Sequence, residues 1–145
     1  MRKIVISILC STVLVLLAAG QSQTPTHVES SLDPVNASAD NQATGNVQID
    51  QDDAHLKVNA DIRKLKPGEY SLKIHEQGDC GDDSKKAGTP LKGGDLGRVT
   101  VKEDGWGHLE GTLRNLSLSA VNGKAVILSQ SDKVLACGVL KPSAF

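Results

Sequence analysis

Hydrophobic and polar residues alternate along most of this chain with the period of a β-strand. Leu56, Val58, Ala60 and Ile62 interleave with His55, Lys57, Asn59 and Asp61. Because successive side chains of a strand point to opposite faces, such a run buries one face and wets the other. Similar runs occur at about His27–Val35, Gly45–Asp50, Glu69–His75, Leu96–Val101, Gly107–Leu113, Lys124–Ser129 and Val134–Leu140, and no segment sustains a helical period. Turn chemistry separates them: Asp50-Gln51-Asp52-Asp53, Lys66-Pro67-Gly68, Glu103-Asp104-Gly105 and Asn122-Gly123. Gly and Asn tolerate positive φ, and Pro presets its own. Eight short strands with frequent turns predict an all-β barrel or sandwich, with Gln77–Gly94 as the longest stretch lacking strand character.

The first 20 residues break this pattern. Arg2 and Lys3 precede an apolar run from Ile4 to Leu17, followed by Ala18-Ala19-Gly20. This order is that of a signal peptide cleaved after Gly20, and the run is shorter than the ~20 residues that span a bilayer. An uncleaved anchor is the alternative. Gln21 stands where a lipoprotein would need cysteine. Cleavage leaves 125 residues, a flexible leader (21–26) and one domain (27–145). An exported location follows, secreted or periplasmic, with no membrane contact after cleavage.

Without Arg2 and Lys3 the chain carries 14 basic and 17 acidic side chains. That negative balance offers no electrostatic basis for nucleic-acid binding. The only aromatic residues, Tyr70, Trp106 and Phe145, form no stacking platform. Cys10 belongs to the leading segment, so Cys80 and Cys137 remain as an even pair, which in an exported chain reads as one disulfide. A metal or redox thiol pair is the alternative, without a Cys-x-x-Cys or a histidine cluster in its favour. Two sequons, at Asn36 and Asn115, matter only in a eukaryotic secretory pathway. His27, His55 and His108 have no clustering in their spacing. Asp50, Asp52 and Asp53, and likewise Asp79, Asp82 and Asp83, lack the glycine and closing glutamate of an EF-hand loop.

The stretch Lys73-Ile74-His75-Glu76-Gln77-Gly78-Asp79-Cys80 resembles the copper-binding strand of the Cu/Zn superoxide dismutases, in which a His-x-His-Glu strand leads into a Gly-Asp-Cys loop. Five further blocks match in order: Lys66-Pro67-Gly68-Glu69-Tyr70, Gly94-Asp95-Leu96-Gly97 with Val99-Thr100, Glu103-Asp104-Gly105, Gly123-Lys124-Ala125-Val126-Ile127 and Leu135-Ala136-Cys137-Gly138-Val139. The resemblance implies an eight-stranded Greek-key barrel with Cys80 and Cys137 as the family's disulfide partners. It also implies a copper set in which only His75 survives. Lys73 occupies the first copper-histidine position, Thr89 lies in the segment where the metal-bridging histidine would fall, and Ser129 stands at the fourth. Asp95 matches the zinc aspartate, but the zinc histidines are absent. The long charged loop of the family is missing, and Val134 stands at its guiding arginine.

These matches lead to an expectation of no catalytic residue, no cofactor and no confident metal site, with His75 and Asp95 as remnants. The expected role is a non-catalytic one in binding or interaction, with an unknown protein partner or a second copy of the chain. The rivals are a divergent superoxide dismutase using His75, a copper-handling protein without turnover, and a decoy of the kind suggested for metal-less viral relatives.

Overall fold

The computed structural model describes residue 20 and residues 26–143. The proposed signal peptide apart from Gly20, the leader apart from Thr26, and the last two residues of the expected domain lie outside the described residues. The described residues form nine strands: β1 (His27–Pro34), β2 (Thr44–Asp52), β3 (His55–Arg63), β4 (Gly68–His75), β5 (Pro90–Val101), β6 (Gly107–Leu113), β7 (Ala125–Gln130), β8 (Lys133–Val139) and β9 (Lys141–Pro142). A short helix, α1 (Leu118–Val121), and a 3-10 turn at Lys85–Ala87 are the other regular elements among the described residues.

The first eight strands form a closed antiparallel barrel in the order β2-β3-β6-β5-β4-β7-β8-β1, with β1 pairing back onto β2. β4 crosses over to lie beyond the β5–β6 pair, a Greek-key arrangement, and closure removes the free sheet edges that invite association. The inward residues of the alternating runs make the core. Leu56, Val58, Ala60 and Ile62 are buried, as are Tyr70, Leu72 and Ile74 on β4 and Val126 and Leu128 on β7.

One sequence expectation needs correction, and two small elements add to the expected barrel. The strandless stretch ends well before Gly94, because β5 begins at Pro90. Its early part pairs with β4 at His75↔Pro90, and a bulge intervenes before Lys73↔Asp95. At Gly94 a Cβ would meet the Ile74 side chain at 3.0 Å and the Leu91 carbonyl oxygen at 3.1 Å, so this strand needs a glycine that reads locally as a breaker. Beside the eight barrel strands that were expected, the two-residue β9 pairs with β1 at Val28↔Pro142 and Glu29↔Lys141. Finally, four residues are helical at α1, capped by the Ser117 hydroxyl, which accepts from the Ala120 N–H.

Candidate functional site

The candidate site lies on the outer wall of the barrel, where β4 and β7 run side by side. Alternation along β4 turns Ser71, Lys73 and His75 outward and leaves each half-buried. β7 pairs with it in the register Ser71↔Ser129, Lys73↔Ile127 and His75↔Ala125. Lys73 and Ser129 line one polar cavity of about 460 Å³, together with Ser71, Arg98 and Asp132. His75 lies further along β4, outside that cavity. Between them the outer face of β7 is apolar: Ala125 and Ile127 are buried in a small second cluster with Ala87 and Cys137, against which Cys80, Val35 and Val134 pack.

The Cys80–Cys137 disulfide anchors this cluster, with Cα atoms 5.9 Å apart across a separation of 57 residues. It ties the loop after β4 to β8, and it matches the bridge expected from the cysteine count and from the resemblance. Val134, which the resemblance sets at the guiding arginine, packs against the second cluster. Lys133 begins β8 and is exposed.

His75 is oriented by one bond. Its Nδ1 is 2.8 Å from the Gly88 carbonyl oxygen, which can only accept, so Nδ1 carries the proton. The neutral ring then presents Nε2 as its lone-pair nitrogen. Thr89 is exposed, and its carbonyl accepts from the Glu76 N–H at 3.0 Å. Asp95 is exposed and uses Oδ1 to accept from the Gly97 N–H at 3.0 Å. Lys73 faces Asp95 in the β4–β5 register without forming an ion pair within 4 Å.

Among the described residues, no three His, Cys, Asp or Glu side chains are grouped so as to hold a metal ion. Outside them the sequence supplies only Cys10 of these types. A copper centre of the family type needs an imidazole set, and zinc takes four N, S or O donors in a tetrahedron. An ammonium, two hydroxyls and one imidazole at the four positions that the resemblance assigns to copper do not fit either ion. Lysine as a cation has three donors and no lone pair to offer.

A polar group that residue spacing does not reveal lies elsewhere on the barrel, where β3 and β6 pair. His108 on β6 sits between two carboxylates, with Nδ1 2.8 Å from Asp61 Oδ1 and Nε2 3.5 Å from Glu110 Oε1. The hydrogen bond to Asp61, then that to Glu110, raises its pKa above the ordinary 6.5. The exposed Trp106 lies beside it, ring centroids 6.2 Å apart. Because the carboxylates engage opposite ring nitrogens, they do not converge on one point as metal ligands would. Asp61 and His108 are 47 residues apart, and only the pairing of β3 with β6 brings them opposite.

Residues 43–140 match the family model described as copper/zinc superoxide dismutase. The chain belongs to that family. It is 29% identical over 117 residues to superoxide dismutase (Cu-Zn) 2 of Salmonella typhimurium, a match covering 79% of this chain and 66% of that protein's length. The crystal structure of the clock protein EA4 superposes with a TM-score of 0.70 at 24% identity, over 83% of this chain and 96% of that one. That likeness concerns the fold. This family member therefore has the barrel and the disulfide, with the donor set described above on its outer wall.

Proposed function

We infer that this protein is an exported, non-catalytic member of the superoxide dismutase family that acts by binding a partner, either another protein or a second copy of itself. One observation carries the reading: Lys73, with Ile127 buried opposite it, occupies the wall where the family resemblance calls for copper imidazoles. Dismutation needs a redox metal cycling between two states, and these side chains supply neither the ligands nor a substitute for the metal. A cation at Lys73 also opposes a metal ion beside His75. Two unit charges about 4 Å apart cost ~1 kcal/mol even in bulk water, and a divalent ion doubles that. With Val134 at the guiding-arginine position and a negative overall charge, an anionic substrate gains no attraction from the molecule as a whole. The leading apolar segment and the disulfide support export.

The test is metal content with turnover. The chain beginning at Gln21 is exposed to copper and zinc, dialysed, and examined by elemental analysis and a superoxide assay. The expected result is substoichiometric copper and no turnover above buffer. Stoichiometric copper with turnover near the diffusion limit would replace this reading with the divergent enzyme. Stoichiometric copper without turnover would favour a copper-handling protein using His75.

A further inference from the structure

Three connections meet at one end of the barrel: residues 35–43 between β1 and β2, residues 64–67 between β3 and β4, and the β7–β8 turn at residues 131–132. The first two of these, with Gln130 and Lys133 on either side of the third, line an open cavity of about 620 Å³ whose charged residues are Lys64, Lys66 and Lys133 with a single acid, Asp40. Among the described residues none of these four side chains forms an ion pair within 4 Å. This local excess of positive charge stands out in a chain whose net charge is −1. The cavity beside the disulfide, of about 750 Å³, has the reverse balance, with Glu29, Asp33 and Asp83 against Lys141. The polar cavity at Lys73 is balanced, with Lys73 and Arg98 against Glu69 and Asp132.

Internal bonds fix the walls and leave the ammonium groups free. The buried Tyr70 hydroxyl donates to the Lys66 carbonyl at 2.7 Å. The Leu65 N–H donates to the Gly105 carbonyl at 3.4 Å, and Lys64 sits in a left-handed turn with φ 60°. Asn41 spends its Nδ2 on the Val35 and Leu135 carbonyls, at 2.7 and 3.0 Å, which ties the first connection to β8. Gln130 donates to the Glu69 carbonyl at 3.2 Å, and it pairs with Lys133 across the tight turn. The side-chain donors of Asn41, Tyr70 and Gln130 are thus committed to backbone, while the exposed Gln42 and three lysines from two separate segments remain available. Backbone already held in place lowers the ordering cost of binding.

We propose that this cavity is a binding site for a small, multiply charged anion of the phosphate or sulfate-ester class. Lysine is a point-charge donor with no planar geometry to match, so the site reads charge in preference to shape. The one aromatic ring present, Tyr70, is buried and its hydroxyl is in use, so no ring face is offered to a nucleobase. Selectivity therefore resides in the anionic group. The volume lies within the range of about 300–1,000 Å³ usual for small-molecule sites. The site stands apart from His75, and the proposal holds whether or not any metal binds there.

Inorganic pyrophosphate is the probe, titrated calorimetrically into the chain beginning at Gln21 at low salt and again at about 150 mM, where exposed charges are screened beyond ~8 Å. Binding at low salt that weakens at the higher value is expected. The double variant Lys66→Gln/Lys133→Gln should lose at least about tenfold in affinity, a change of ~1.4 kcal/mol, while keeping the wild-type melting temperature. Lys57→Gln/Lys92→Gln removes the same charge from exposed positions outside the cavity and should change affinity less than about twofold, or ~0.4 kcal/mol. Absence of wild-type binding would overturn the proposal, as would equal losses in the two double variants. A parallel arm uses vesicles containing phosphatidic acid. Binding to vesicles without binding to pyrophosphate would assign the lysines to a membrane surface and overturn the small-anion reading.

Discussion

The two faces of β4 have followed different rules. Inward, Tyr70, Leu72 and Ile74 are buried in the core. Outward, Ser71, Lys73 and His75 face β7 across a wall that is apolar at Ala125 and Ile127. The inner face answers to packing density, where even a methylene is felt. The outer face answers to ligand chemistry, which the barrel does not need in order to close. Alternate residues of a strand can therefore serve separate purposes, and the barrel does not depend on what its outer face binds.

This contrast can be broken most strongly at the disulfide, which covers the outer face but is expected to act on the whole barrel. Closing a loop of this length restricts the unfolded chain by about 4 kcal/mol in the chain-entropy model. The double variant Cys80→Ser/Cys137→Ser should lose stability of that order in a denaturant titration. A loss under about 1 kcal/mol would show that the outer cluster and the core stabilise the barrel without it. The next effect compares neighbours on the strand. Leu72→Ala removes a fully buried side chain and should cost about 2–5 kcal/mol, whereas the half-buried Lys73→Ala should stay within about 0.5 kcal/mol. Comparable losses at the two positions would mean that the outer face is as structural as the inner one.

Lys73→His/Ser129→His sharpens the chemical side of the comparison. Restoring two imidazoles on the outer wall should raise copper affinity by at least about tenfold, some 1.4 kcal/mol, in a competition titration with a chelator. No gain would mean that the apolar outer face of β7, in addition to the donor types, keeps the ion out. The smallest effect is at His108. Its raised pKa means that the folded state binds its proton more tightly than the unfolded state does. The resulting stabilisation is full below the ordinary value of 6.5 and fades as the pH rises through the higher folded value. His108→Ala should therefore narrow the stability difference between pH 5.5 and pH 8.5. An unchanged difference would show that the bonds to Asp61 and Glu110 are too solvent-exposed to matter.

The strands were legible because each is amphipathic at period two, a property of neighbouring residues that needs no knowledge of the fold. Leu56 to Ile62 and Tyr70 to Ile74 have the burial that alternation demands. The cysteine pair was legible by parity once the leading segment was set aside. β5 was misread because Gly93 and Gly94 are breakers by local propensity, yet close approach to Ile74 makes a small residue necessary at Gly94. Propensity describes a chain alone, and at that position the neighbouring strand decides.

What the sequence determined by itself was the fold class and the inward and outward sets of the alternating strands, since these depend on residue type and local spacing; the family resemblance added which residues stand at the expected copper positions. Only the tertiary structure decided which outward residues meet. It placed His108 against Asp61, buried Ile127 opposite Lys73, and brought Lys64 and Lys66 to the same cavity as Lys133. The physical reason is that these contacts join segments far apart in the chain. Their geometry is set by strand order and register, which arise from burying the whole core at once.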